Sequence, residues 1–414
     1  MKMLRLFLPV YACIVCILCI VCAGCAGYAA AVEAEPDPVF YVTAGGSDRN
    51  NGLSEATPFR SLFTAMVRAP GAKVKKIIVV GVLDMQSEQT SNEERVFALQ
   101  GGGRDSVITI TGKANCPEEE RAVLSGEGAF RRVVQIRGET NIRFENIEIS
   151  GGSSRALGGG LVIGAGAIVT LGPGTVVRNN HSVSGGGGAA VAPGGRLFVS
   201  GAVITGNSSE SAGGGIACAG ERFGMDSGEI SNNSAPAGGG IAVFDLCLFT
   251  LEGGMIVSNQ AEMFGGGIMI QNARGTMLNG AVQNNQSALS GGGIGIMNQS
   301  VFVLSGGEVR ENTAGEHGGG IASDETSVIS VRGGLVAGNK AVQNGGGVFS
   351  AGSFDKQTGS LITGSGENAN SAAAGRAIYL YREAVKFVDD DAGSDLVMDE
   401  PLPDEPLPDD QTDF

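Results

Sequence analysis

Short apolar segments alternate with glycine, serine and asparagine along most of the chain, and the pattern recurs about every 27 residues. Runs of glycine begin at Gly158, Gly185, Gly213, Gly238, Gly265, Gly291, Gly318 and Gly345. Asparagines precede the runs at Asn180, Asn207, Asn233, Asn259, Asn285, Asn312 and Asn339, and single glycines keep the same step at Gly174, Gly201, Gly228, Gly254, Gly280, Gly307 and Gly334. Three features with one period indicate a repeat architecture.

Each repeat holds three short apolar segments, which in the copy that starts at Gly265 read GIMI, TMLNG and AVQNN. The segments are too short for helices and alternate with the period of two that is typical of strands. Three strands and three turns in about 27 residues predict one coil of a right-handed parallel β-helix, an all-β solenoid of about ten to twelve coils. Leucine-rich repeats have a similar period, but their Leu-x-x-Leu-x-Leu spacing is absent.

Stacked coils would give both repeated residue types an architectural role. Residues one coil apart lie roughly 4.8 Å from each other, so asparagines in register can form amide-to-amide hydrogen bonds along the axis. A glycine at a fixed register supplies a positive φ at a tight corner. We expect the isoleucines behind the glycine runs to form one buried stack, namely Ile216, Ile241, Ile268, Ile294 and Ile321. No Lys-Ser/Thr follows the glycines, which argues against a phosphate loop.

A short helix is predicted upstream of the repeats, over residues 59–69. Thr57 stands as its N-cap, Pro58 is in the first turn and Gly71 lies beyond its end. Its apolar face consists of Phe59, Leu62, Phe63, Met66 and Val67. Such a helix can cover the open first coil of a β-helix. The phrase YV…GSD…NG…PFRSL…A in residues 41–65 resembles the N-terminal cap of exported pectate-lyase-like β-helix proteins.

The repeat array itself is similar to the GGAI and FxxN repeats of polymorphic outer-membrane proteins, a family of bacterial surface adhesins. The likeness runs from about Gly158 to Leu380, with a degenerate last coil that has Asn368 and GRAIYL in place of the asparagine and GGGI. The Phe of FxxN is mostly missing, and no C-terminal barrel segment follows. The resemblance therefore implies a surface-binding protein without implying autotransport.

The N-terminus is typical of an export signal, because Lys2 and Arg5 precede an uncharged apolar stretch over residues 6–24. CAGC at residues 22–25 resembles the lipobox of bacterial lipoproteins, which implies that Cys25 is acylated. Cys22 stands where that motif usually has Leu. Cleavage near residues 29–34 and an uncleaved anchor are the alternatives, and all three lead out of the cytoplasm. We expect an exported protein of the outer membrane or cell surface, held to the membrane by lipid at Cys25.

Composition divides the chain into a signal peptide (1–24), a linker (25–39), the cap and irregular coils (40–157), the regular β-helix (158–388) and an acidic tail (389–414). The net charge is −15, but the tail alone carries 11 acidic residues and no Lys or Arg. Such a tail is expected to be disordered. No basic stripe with interleaved aromatic residues occurs, which argues against a nucleic-acid partner.

The cysteines outside the leader are Cys116, Cys218 and Cys247, an odd number without a CxxC pair. This spacing favours small buried side chains over a disulfide framework or a zinc site.

Polysaccharide lyases and hydrolases of the pectate-lyase-like fold hold carboxylates together on neighbouring coils, and this chain scatters its candidates. Asp245 and Asp324 fall three coils apart, the histidines His181 and His317 five coils apart, and Asp226 and Arg222 share one coil without an acidic neighbour. Arg143, Glu145 and Glu148 form the one diffuse cluster, which is also typical of a solvated strand. No catalytic residue and no resident cofactor is therefore assigned.

Calcium is the one cation that the sequence suggests. In GGSDRNNG, residues 45–52, the oxygens of Asp48 and Asn50 could surround calcium, or these residues could simply form a turn.

An apolar stripe is expected on the outside of the coils. If Ile268 and Ile270 point inward, Met269 points outward. Its register also holds Val162, Ala217, Ala242, Gly295, Ala322 and Phe349, with Phe244 and Met297 two residues further on. Exposed apolar patches often mark contact surfaces, although turns or the tail could cover this one.

The sequence thus favours an adhesin or binding protein for a glycan or a host or matrix protein. A polysaccharide-degrading enzyme and a structural envelope protein are the alternatives.

Overall fold

The computed structural model describes residues 37–84, 96–127, 131–357, 360–366, 368–381 and 386–388. The predicted signal peptide, Cys25 and the acidic tail lie outside the described residues. All of the described secondary structure belongs to one compact unit, which begins at Pro38. It is a parallel β-solenoid of about nine turns with strands about 27 residues apart and about 3% helix. The predicted all-β, parallel β-helix fold is confirmed.

The strands form three parallel sheets that run along the stack of coils. The glycine sheet, named for the runs before its strands, contains Phe97–Leu99, Val134–Ile136, Leu161–Ile163, Ala189–Val191, Ile216–Cys218, Ile241–Val243, Ile268–Gln271, Ile294–Met297, Ile321–Ser323, Val348–Ser350 and Ile378–Leu380. The asparagine sheet contains Ser153–Ser154, His181–Ser182, Ser208–Ser209, Ser234–Ala237, Gln260–Phe264, Gln286–Ser287, Thr313–Ala314 and Lys340–Ala341.

The long sheet receives two segments from most coils. Its strands are Val39–Val42, Lys76–Val79, Val82–Asp84, Gly103–Gly112, Ala122–Ser125, Thr140–Glu145, Ile147–Ser150, Ile168–Leu171, Val176–Arg178, Arg196–Thr205, Arg222–Ser231, Leu248–Leu251, Met255–Val257, Arg274–Met277, Ala281–Gln283, Val301–Leu304, Glu308–Arg310, Val328–Val331, Leu335–Ala337, Ser353–Lys356, Leu361–Ile362 and Lys386–Val388.

A regular coil has four strands, not the three that the sequence predicted. The additional strand is the short one in the asparagine sheet, such as Gln286–Ser287. Apolar periodicity does not mark it, because it is only two residues long in most coils and its outward residues are polar. The chain bends into it through a residue with positive φ, for example Asn284 at 54°.

The core is a series of stacks of identical or similar side chains inside the coils. Ile216, Ile241, Ile268, Ile294 and Ile321 occupy one register and are at most 1% exposed, which confirms the predicted stack. On the opposite wall, the rings of Phe223 and Phe249 stack with centroids 5.2 Å apart. Burying one such side chain stabilises the fold by about 1.5 to 3 kcal/mol, so the coils are held together mainly by these columns.

The capping helix is Leu62–Arg68, and its N-cap is Ser61, not Thr57. The predicted start is wrong because the chain before Ser61 is extended: Phe59 bridges Val42 of the first strand. Ser61 Oγ accepts the N–H of Thr64 at 3.0 Å.

The predicted apolar face of the capping helix is only partly buried. Leu62, Ala65 and Met66 are buried, whereas Phe63 and Val67 are 40% and 57% exposed. The buried face follows Leu62, Ala65, Met66 and Ala69, which share one side of a helix, and Phe63 and Val67 lie beyond its edge.

Each glycine of a run has a different physical reason to lack a side chain. Gly265 has a φ of 65°, in the left-handed region. A Cβ on Gly266 would lie 2.3 Å from the carbonyl oxygen of Gly292 on the next coil, and one on Gly267 would lie 3.0 Å from the amide of Asn285. The run therefore makes a tight bend and lets two coils and the asparagine column approach one another closely.

The predicted asparagine ladder is present, with each side chain at most 1% exposed. Nδ2 of each member donates to Oδ1 of the next at 2.9 to 3.0 Å. The ladder consists of Asn180, Asn207, Asn233, Asn259, Asn285, Asn312, Asn339 and Asn370. Asn370, not the predicted Asn368, is its last member, because the last coil contains a longer loop.

Within the described residues, no helix has the length and apolar character that crossing a membrane requires.

Candidate functional site

The predicted apolar stripe exists as a continuous register of the glycine sheet. Neighbouring coils pair Val162 with Ala190 and Ala217 with Ala242, then Met269, Gly295, Ala322, Phe349 and Tyr379 follow in order. None of these residues is charged. The side chains of the stripe are small toward its N-terminal end, where alanines dominate, and aromatic at its C-terminal end.

Most of the stripe is covered, so the alternative in which turns fold over it, and not the one in which it faces solvent, holds along its middle. Val162, Ala217, Ala242, Met269 and Ala322 are all at most 8% exposed. Their cover is the residue line that precedes each glycine run.

We call this residue line the rim. It consists of Ala212, Ala237, Phe264, Ser290, His317, Asn344 and Ala374. Parallel bridges join consecutive members from Ala212 to Ser290 and from His317 to Ala374. The tight glycine bend turns each rim residue back onto the stripe, and Ala212 and Ala237 pack there with Ala242 and Met269. Phe244 and Met297 lie partly buried against this cluster. The turns thus cover the stripe wherever both lines have small or flexible side chains.

The cover opens at the C-terminal end, where the side chains become aromatic. The ring of His317, a rim residue, stacks on Phe349 with centroids 4.6 Å apart and planes 16° apart. Phe349 in turn stacks on Tyr379 at 5.7 Å and lies 6.3 Å from Tyr381. Of these four rings, only that of Tyr379 is buried; those of His317, Phe349 and Tyr381 are partly exposed. We call these four residues the aromatic cluster.

The surroundings of His317 in the aromatic cluster favour its neutral form. Partial burial lowers its pKa, although the nearby Glu316 opposes that change. Its Nδ1 lies 3.3 Å from the side-chain amide of Asn344, the next rim residue. An uncharged imidazole beside an amide and three aromatic rings offers apolar faces together with hydrogen-bonding edges.

Sequence reasoning included Phe349 in the stripe but missed Tyr379 and Tyr381. The sequence aligned GRAIYL of the last coil with the GGGI of the other copies, but the stripe was not extended to that degenerate coil. The available signal was the position of Tyr379 directly after Ile378, the same place that Met269 has after Ile268.

A shallow groove runs along the corner at which each coil passes from the first to the second of its two segments in the long sheet. It has a volume of about 550 Å³ and is lined by Gly254, Met255, Asn279, Gly280, Ala281, Gly307, Glu308, Gly334 and Leu335. The glycines at this corner have positive φ, for example 85° at Gly254. Met255 is 41% exposed there. The groove is a second surface that could accept an extended ligand.

The catalytic candidates of the irregular coils are engaged in ion pairs. Glu145 pairs with Arg143 on the same strand, and Glu148 pairs with Arg178 of the following coil at 2.9 Å. The hydrogen bond that Arg178 donates to Glu148 raises the pKa of Arg178. The geometry therefore brings these groups together as neutralised pairs on a strand surface.

The remaining candidates stay apart, as the sequence indicated. His181 contacts Ser208 and Glu210, and Asp226 accepts hydrogen bonds from Ser200 and Ser227. Asp245 lies in a corner with a φ of 52°.

Asp324 stabilises a turn. Partial burial raises the pKa of its carboxyl group, but hydrogen bonds from Asn298, Ser327 and Thr326 outweigh burial and lower it overall.

Asp48 and Asn50 take part in the turn that holds the capping helix. Asp48 Oδ1 accepts the N–H groups of Arg60 and Ser61 at 3.1 and 2.9 Å, and Asn50 donates to the carbonyl of Pro58 at 2.9 Å. Among the residues that the structure describes, no group of three His, Cys, Asp or Glu side chains is placed to hold a metal ion.

Comparison of the chain with protein-family models, with curated proteins and with solved structures gave no match.

Proposed function

We propose that this protein is an exported, lipid-anchored surface protein of the outer membrane or cell surface that binds a glycan or a host or matrix protein through the aromatic cluster. The observation that carries the proposal is the stack of His317, Phe349 and Tyr379 beside Tyr381, at the one end of the stripe where the described rim leaves rings accessible. Partly exposed aromatic rings are favoured in contact sites because they bury a large area at a small entropic cost.

Two further observations support a binding role. The glycine-sheet register that leads to the cluster carries no charge, so a ligand can approach it without desolvating an ion. The repeats resemble those of polymorphic outer-membrane adhesins, and the lipobox-like sequence before Cys25 would place the chain at a membrane surface.

Binding is tested with the full-length chain, extracted in mild detergent and applied to an array of glycans and to immobilised matrix proteins. Phe349→Ala and Tyr381→Ala remove two of the accessible rings. We expect each to weaken binding about tenfold or more, which corresponds to the loss of about 1.4 kcal/mol. The melting temperature of each variant is measured in parallel to separate lost contact from lost folding.

Two control residues lie on the long sheet, away from the aromatic cluster. Leu248→Ala removes an equally apolar side chain, 50% exposed on the long sheet, and should leave binding unchanged. Met255→Ala tests the groove, and loss of binding in this variant alone would transfer the site there. Binding that survives both aromatic substitutions would refute the proposed surface.

Polygalacturonate turnover is measured on the same preparations. Turnover by the wild-type chain would favour the lyase or hydrolase alternative over an adhesin. If the array gives no binding and the substrate is not turned over, the binding function itself is refuted in favour of a structural envelope protein.

A further inference from the structure

Two cysteine thiols meet inside the coils, on consecutive turns of the solenoid. Cys218 ends the strand Ile216–Cys218, and Cys247 lies in the corner that follows the next strand, Ile241–Val243. Their Sγ atoms are 3.2 Å apart and both side chains are fully buried. Both are free thiols. We propose that Cys218 and Cys247 form a disulfide bond between adjacent coils when the protein folds under oxidising conditions.

The backbone around the pair fits such a bond. Phe244 N–H donates to the carbonyl of Cys218 at 2.8 Å, which fixes the corner against the preceding coil. Asp245 and Leu246 then take positive φ values of 52° and 67°, and this double bend turns Cys247 inward. A positive φ is unfavourable for a leucine, and Leu246 is 76% exposed, so its own side chain contributes no burial in return.

Only a small movement separates the thiols from a bond. A disulfide requires sulfur atoms about 2.05 Å apart, and the Sγ atoms of Cys218 and Cys247 are 3.2 Å apart. The Sγ atoms must therefore approach each other by only about 1.2 Å to form the bond.

The chemistry is thiol–disulfide exchange with a low-molecular-weight disulfide such as oxidised glutathione. One cysteine thiolate attacks that disulfide and releases one glutathione thiol; the second cysteine then displaces the other glutathione and loses its proton. Two protein thiols are oxidised and one glutathione disulfide is reduced to two thiols, so atoms and electrons balance. Because the pair is buried, the exchange takes place during folding.

The proposed disulfide does not depend on the binding function, and it departs from the sequence-based expectation, which favoured small buried side chains over a disulfide framework. The buried positions of Cys218 and Cys247 were expected, whereas their contact was not. Sequence spacing hid it because the two residues belong to different registers of neighbouring coils.

The test is peptide mapping of the full-length chain, refolded from urea either with reduced and oxidised glutathione or with dithiothreitol. Free thiols are then blocked in denaturant and the chain is cut with trypsin. Cleavage after Arg222 separates the two cysteines into peptides 197–222 and 223–274, whereas Cys116 lies in peptide 114–121. We expect these two larger peptides to be joined after oxidative refolding, about 2 Da lighter than their sum, and separate after reduction.

Substitutions identify the bond and its effect. Cys218→Ala and Cys247→Ala should each abolish the joined peptide, and Cys116→Ala should retain it. The melting temperature of the oxidised wild type should exceed that of the reduced wild type by several degrees, and the double variant should show no such difference. Recovery of both peptides fully alkylated from refolded protein with a native circular-dichroism spectrum would overturn the proposal.

Discussion

Oδ1 of Asn285 accepts two hydrogen bonds from one residue of the preceding coil, the backbone N–H and the Nδ2–H of Asn259, each at 3.0 Å. Nδ2 of Asn285 donates to the carbonyl of Ile256 at 2.9 Å and to Oδ1 of Asn312 at 3.0 Å. Each amide of the ladder thus satisfies its neighbours' backbone as well as their side chains. The asparagine ladder is therefore a continuous line of hydrogen-bonded polar groups beside an otherwise apolar core.

Replacing Asn285 by Ala should strand both donors of Asn259 in a buried site. Each unpaired buried donor costs about 1 to 3 kcal/mol, so we expect the free energy of unfolding to fall by about 2 to 6 kcal/mol. Asn180→Ala is the matched control, because Oδ1 of Asn180 accepts from the single backbone N–H of Gly152. Its loss should be about half as large. Urea melts monitored by circular dichroism measure both, and equal losses would show that the ladder does not act through the stranded donors.

Replacing Asn285 by Asp should make stability depend on pH. The carboxylate keeps an acceptor for Asn259 but points its second oxygen at the acceptors of Ile256 and Asn312. Burial and this repulsion raise its folded pKa above about 3.9, the value of an unfolded Asp. The ionisation penalty is therefore absent below about pH 4 and grows by about 1.4 kcal/mol per pH unit until the folded pKa is reached.

The pH dependence is measured as the difference in melting temperature between Asn285→Asp and wild type from pH 4 to pH 8. We expect the difference to widen as pH rises. Asn285→Ala, which does not titrate, should show a constant difference. An Asp variant with the same deficit at every pH would mean that the site is open to water.

The repeated part of the fold was predictable because equivalent residues of successive repeats occupy the same structural environment. Ile268 and Asn285 each have counterparts in neighbouring coils, so their roles followed from period and alternation. The structure departs from the prediction where the period gives no information: the helix starts at Ser61 because Asp48 binds the backbone N–H groups of Arg60 and Ser61, a contact between distant positions.

The sequence left open whether the stripe is exposed or covered by turns, for a related reason. Alternation places Met269 on the outer side of its strand, but it does not indicate that the rim folds back over that side. The glycine bend brings Ala237 against Met269, and this contact depends on backbone geometry. The aromatic cluster was only partly predictable, since Tyr379 and Tyr381 lie in a coil that breaks the repeat.

Membrane attachment through Cys25 remains a prediction, since this residue lies outside the described part of the chain. Cys25→Ser should release the protein from the membrane fraction or leave its signal uncleaved, because the serine at position 25 has no thiol for acylation. Fractionation of cells and intact-mass analysis of the purified protein measure the two outcomes. An unmodified N-terminus at Ala31 or Ala34 in the wild type would exclude lipidation and leave export untouched.

Gly266 provides the most direct test of how closely the coils approach. Its φ is not positive, so alanine would be tolerated there if only backbone conformation mattered. A Cβ would instead lie 2.3 Å from the carbonyl oxygen of Gly292 and 2.4 Å from that of Gln286, both backbone atoms that cannot rotate away. We expect Gly266→Ala to lower the melting temperature strongly, because either the contact of two coils or the asparagine column beside it must shift.

Gly45→Ala in the cap is the matched control, since a Cβ there meets no atom within 4 Å. It should leave the melting temperature nearly unchanged, and similar melting curves for the two variants would contradict the close backbone packing that defines the glycine runs.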